Sequence, residues 1–96
     1  MAKQKTINKK VDNVEVILQV NGKEYSAGGL DIKDALAQLR PAKLTTKGAL
    51  IVRQDGKQAK ILLNIIQVRR LFGEYSSSMK EVMMVLITKR ASLLFK

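Results

Sequence analysis

The chain has no cysteine and no histidine among its 96 residues. The first absence rules out disulfides and thiol chemistry. The second removes the commonest general base and the commonest metal ligand. Aromatics are also scarce: Tyr25, Phe72, Tyr75 and Phe95, with no tryptophan. A single-strand reader that stacks bases on exposed rings needs more than that, so RRM-like and OB-like readers are disfavoured. The longest unbroken apolar run, Val82 to Ile87, is six residues, too short to span a bilayer. The leader MAKQKTINKK is basic but leads into no apolar segment, so it does not read as a secretory signal. A cytoplasmic protein without membrane association is expected.

Catalytic chemistry finds little to work with. The carboxylates Asp31, Asp34, Asp55 and Glu81 all have structural explanations as helix caps, dipole partners or turn residues. Ser76-Ser77-Ser78 has no histidine to activate it, and no lysine stands out as a substitute base. Gly28-Gly29 lacks the GxxxxGK[ST] pattern of a phosphate loop. No acidic cluster has metal-ligand spacing. The expectation is a non-enzyme with no cofactor, no metal and no small-molecule substrate.

Charge is what the chain has in excess, and it is unevenly spread. Residues 1–10 carry four lysines, and residues 11–39 carry two bases against five acids. Residues 40–70 then carry eight bases against Asp55 alone, before a C-terminal stretch with four bases and two acids. The total is +10. The positive field is concentrated in the middle of the chain.

That middle contains the clearest local signal. Asp55-Gly56 separates two alternating runs in GALIVRQDGKQAKILL, the signature of a two-residue hairpin turn. Folding there sets Leu50 against Ile61 and Val52 against Ala59 on one face, which is apolar. Arg53 against Gln58 and Ile51 against Lys60 occupy the other, which is basic. Asn21-Gly22 repeats the arrangement, pairing Val16 with Ala27 and Leu18 with Tyr25. The two hairpins, about 14–27 and 48–63, echo each other in VILQVNGKE and LIVRQDGKQ.

Helices are expected at 32–40, capped by Asp31 and stopped before Pro41, and at 65–72, capped by Asn64 and closed by a left-handed Gly73. Ile65, Val68 and Phe72 should face inward on the second. Ser78-Met79-Lys80-Glu81 matches a capping box for a C-terminal helix over 79–94, with Val82, Met83, Leu86 and Ile87 as its inner stripe. Residues 61–68 and 82–88 are also acceptable as strands, because they are rich in β-branched residues. The predicted fold is α+β, a single domain over 11–96 in which helices cover the apolar face of one antiparallel sheet. Residues 1–10 read as a basic arm.

Two functions from different classes fit. The first is a non-catalytic nucleic-acid-binding accessory protein that uses phosphate contacts from one exterior cationic patch. Its candidate residues are Lys43, Lys47, Arg53, Lys57, Lys60, Arg69 and Arg70, aided by the arm. The bland alternative for each is a solvated surface charge that also blunts edge aggregation. The second is a protein-binding or assembly regulator, with a homodimer as one form, of the accessory kind carried by phages and mobile elements. It would dock on a larger partner through the C-terminal helix or the basic surface, with Met79, Met83 and Met84 as the adaptable interface residues. Core packing is the bland explanation for those methionines.

Overall fold

A computed structural model describes residues 13–41, 46–73 and 76–95. In chain order they form strands β1 (Val14–Val20) and β2 (Lys23–Gly29), helix α1 (Ile32–Ala37), strands β3 (Gly48–Gln54) and β4 (Lys57–Leu63), and helices α2 (Ile65–Phe72) and α3 (Ser77–Leu94). The fold is α+β. Both hairpins turn at the expected dipeptides: Asn21 and Gly22 have φ of 57° and 72°, Asp55 and Gly56 of 54° and 74°. Two consecutive positive φ values define the turn whose twist matches the flanking strands.

The four strands form one antiparallel sheet in the order β2-β1-β3-β4. The hairpins join along β1 and β3, with Ile17 opposite Ile51 at the centre of that pairing. Moving 34 residues along the chain carries Val14–Val20 onto Gly48–Gln54 and Lys23–Gly29 onto Lys57–Leu63. Each hairpin is followed by a helix with a polar N-cap. Asp31 accepts from the Asp34 amide at 2.8 Å, and Asn64 accepts from the Gln67 amide at 2.8 Å. The sequence echo is therefore two ββα units whose strands are related by an approximate twofold axis between Ile17 and Ile51, while their helices differ: α1 packs on β1 and β2, whereas α2 packs mainly against α3 and touches β4.

Strand alternation sends one set of side chains into the core. Val16, Leu18, Leu50, Val52 and Ile61 are fully buried there, together with Leu36 from α1, Val68 from α2 and Ile87 from α3. Helix α1 packs on β1 and β2, while α3 lies against β4 and touches both other helices. All three helices cover the same face. The opposite face carries no helix among the described residues, and none of its side chains is buried.

Several local expectations shift. Helix α1 ends at Ala37 rather than 40: the amides of Gln38 and Leu39 close 3₁₀-type bonds to Ala35 and Leu36, and the Arg40 guanidinium takes the carbonyls of Ala37 and Leu39. Pro41 bars helical geometry just before it, so the end tightens early. On α2, Leu71 joins Val68 in the core, whereas Ile65 and Phe72 are half-buried. Gly73 is extended, with φ of −82°, not left-handed. Glycine is required there because a Cβ would lie 2.5 Å from the Arg69 carbonyl oxygen, which the Gly73 amide bonds at 2.7 Å.

Helix α3 starts two residues before the predicted position. Ser76, not Ser78, is its N-cap, and Glu81 pairs with Lys33 of α1 instead of closing a capping box. Three consecutive serines offer alternative starts, and the long-range ion pair takes the carboxylate. Its core-facing line is Met83, Ile87 and Ala91; Val82 and Leu86 face solvent. The helix is apolar over most of its circumference, and only one arc fits against the sheet. No helix among the described residues is long and apolar enough to cross a membrane.

Candidate nucleic-acid interface

The uncovered sheet face is ordered in rows that run across all four strands. The middle row reads Ser26, Ile17, Ile51, Lys60, and the row beside it reads Gly28, Glu15, Arg53, Gln58. Arg53 is held from both sides. Its Nε donates to Gln58 Oε1 at 2.9 Å and its Nη1 to Glu15 Oε1 at 3.3 Å. Both members of the Arg53–Glu15 pair remain about half exposed, so the guanidinium keeps donors free for an incoming anion. Lys60 stands exposed one row away on the edge strand β4.

The other expected cations lie around this hairpin rather than beside Arg53. Lys57 is exposed at the β3–β4 turn. Lys47 is exposed at the far end of β3, next to the first turn, where Thr46 Oγ1 donates to Asn21 Oδ1 at 3.0 Å. The seven-residue strand between them spans about 20 Å. Arg69 and Arg70 are exposed on α2, in the helical layer behind the sheet. Lys43 and the arm at 1–10 lie outside the described residues. The compact exterior patch expected from the sequence is thus corrected to a band: cations occupy the open face, both ends and the helical side of the β3–β4–α2 unit. Alternation fixes this, because α2 must bury Val68 and Leu71 on the face that Arg53 and Lys60 avoid.

What unites the band is the unit that carries it. Within residues 46–73, six bases (Lys47, Arg53, Lys57, Lys60, Arg69 and Arg70) face Asp55 alone. Within residues 13–41, three bases (Lys23, Lys33 and Arg40) face four acids (Glu15, Glu24, Asp31 and Asp34). The two units share strand lengths, turn geometry and capping, yet they have opposite electrostatic character. Shifting by 34 residues replaces Glu24 by Gln58 and Ser26 by Lys60. On the acidic unit Gln19 Nε2 donates to Glu24 at 2.9 Å, in the position where Arg53 donates to Gln58.

The methionines separate. Met83 is in the core at 4% exposure, which corrects its placement in an accessible interface; Met84 is partly buried against the core, and Met79 is 37% exposed. Sequence reasoning missed Glu15 as the partner of Arg53. Their contact depends on the β1–β3 pairing, across 38 residues, and no local pattern announces it.

Among the described residues no group of three or more acidic side chains could hold a metal ion. Lys33 holds its proton above the ordinary 10.5, through the hydrogen bond from its ammonium to Glu81 and the attraction of that carboxylate. No protein family, curated relative or solved structure matches the chain.

Proposed function

We propose that the protein is a non-catalytic, cytoplasmic nucleic-acid-binding accessory factor that holds the phosphate backbone with its second ββα unit. The observation that carries this reading is the charge difference between two units of the same architecture. A surface charged for solubility alone has no reason to treat equivalent positions so differently. Cations spaced over about 20 Å suit a ligand whose charges recur along its length.

Arg53 and Lys60 make the open-face contacts, and Lys47 and Lys57 extend them along the hairpin. The open face offers Ile17, Ala49, Ile51 and Leu62 but no aromatic ring for stacking, so the contacts are mainly to phosphate and weakly selective for sequence.

The internal symmetry supplies the control for the test. Lys23 and Lys57 each follow a hairpin turn at equivalent positions, and both are exposed. Charge reversal of Lys57 is expected to weaken binding of a labelled duplex by about tenfold, in the range of a lost charged contact with added repulsion. Charge reversal of Lys23, which stands beside Lys47 at the first turn, is expected to weaken it by a smaller factor, about threefold, through its field at Lys47 alone. Equal effects from the two variants would reject the second unit as the binding surface.

A further inference from the structure

Helix α3 carries a second apolar line that the fold does not use. Met79, Val82, Leu86 and Leu93 are spaced at three, seven and fourteen residues from the first, which places them along one side of the helix. Val82 and Leu93 are 68% and 66% exposed, and Leu86 is 40% exposed. Beside the first turns of this line lies a cleft of about 210 Å³ between α2 and α3, bordered by Arg70, Met79, Val82 and the edge of Met83. One turn before Arg70, Ile66 of α2 is 55% exposed. At the other end Lys89 and Arg90 flank the line between Leu86 and Leu93, and both are exposed. The one acid of α2 and α3 among the described residues, Glu81, is engaged with Lys33.

We infer that this line is a docking groove for an acidic amphipathic helix of a partner protein, whose apolar face would lie along Met79, Val82, Leu86 and Leu93 while its carboxylates meet Arg70, Lys89 and Arg90. Charge selects this occupant. A symmetric dimer would lay the groove against its own copy, setting these three cations against the same three with no acid between them. The chain's own leader carries four lysines against Asp12 and is repelled for the same reason. A lipid surface is flat, whereas the Arg70–Val82 cleft is concave and suits helix-in-groove recognition. The groove lies in the helical layer, away from Arg53 and Lys60, so it is separate from the proposed nucleic-acid surface.

The probe is a synthetic, fluorescein-labelled helical peptide of about five turns, with leucines at i, i+3, i+4 and i+7 and glutamates on the flanks. Fluorescence polarisation against the full chain should show saturable binding. Val82→Lys, which adds a positive charge but removes the apolar contact, and Arg70→Glu should each weaken it about tenfold or more. Circular dichroism should show both variants folded, since each side chain is exposed. Arg53→Glu with Lys60→Glu should leave peptide affinity unchanged, which separates this groove from the nucleic-acid reading. Absence of binding, equal binding of a lysine-flanked peptide, or indifference to Val82→Lys would overturn the proposal. So would self-association of the wild-type chain that Val82→Lys abolishes, or Val82-dependent sedimentation with phosphatidylserine vesicles.

Discussion

Glu15 and Arg53 face each other across the β1–β3 pairing, Oε1 to Nη1 at 3.3 Å, and so tie the acidic ββα unit to the basic one. The pair sits on the open sheet face, half exposed, where solvent screens it; such pairs contribute roughly 0–1 kcal/mol to stability. Its consequence for binding is larger. Glu15→Gln should leave the unfolding free energy within about 0.5 kcal/mol of wild type. Removing a competing carboxylate from Arg53 should also raise affinity for duplex DNA several-fold at low salt, by roughly 1 kcal/mol. Denaturant titration and fluorescence anisotropy check the two halves of this expectation. Unchanged affinity would mean that Arg53 makes no contact.

The turns offer a test of why the hairpins form. A Cβ at Gly56 meets nothing within 4 Å, so Gly56→Ala has no steric clash with neighbours. Its cost should be the backbone term alone, about 1 kcal/mol for an alanine held at positive φ. Gly73→Ala acts differently: the Cβ meets the Arg69 carbonyl oxygen, and the last turn of α2 must open. Urea unfolding should rank Gly73→Ala as the more damaging of the two.

Core and groove substitutions should diverge sharply. Leu50→Ala removes a fully buried side chain and should cost 2–5 kcal/mol, roughly. Met83→Lys buries an unpaired ammonium beside Ile87 and should abolish cooperative folding. Val82→Lys, two-thirds exposed on the same helix, should shift stability by no more than about 0.5 kcal/mol. Thermal melts of the three variants check this order.

The Lys33–Glu81 pair joins α1 to α3 and gives a pH signature. Lys33 holds its proton more tightly in the folded state than in the unfolded one, because Glu81 accepts from it. Its contribution is therefore fully present below the unfolded pKa and is lost as pH rises through the higher, folded one. Melting temperatures above pH 10.5 should fall more steeply for wild type than for Lys33→Met. Parallel alkaline limbs would show that the pair contributes nothing.

Much of this architecture is local and could be read from the chain. Asn21-Gly22 and Asp55-Gly56 specify turn geometry by themselves, and the turn sets the hairpin register. Asp31 and Asn64 cap helices through bonds three residues long. What could not be read depends on contacts between distant segments. The joining of β1 to β3 placed Glu15 beside Arg53. The docking of α3 decided which arc of an evenly apolar helix would be buried, sending Met83 inward and Val82 outward. The same docking drew Glu81 to Lys33 of α1, so the local box with Ser78 did not form. The charge blocks were legible too, since the acidic stretch 11–39 and the basic stretch 40–70 each hold one of the two echoing hairpins; the pairing of those hairpins along β1 and β3 was not.

The central claim is that the second ββα unit grips phosphates. Its most direct measurement is the salt dependence of wild-type affinity for duplex DNA. Each phosphate contact adds about −0.9 to the slope of log K against log salt. Engagement of Lys47, Arg53, Lys57 and Lys60 should give a slope of about −3.5. A slope near zero would contradict the claim.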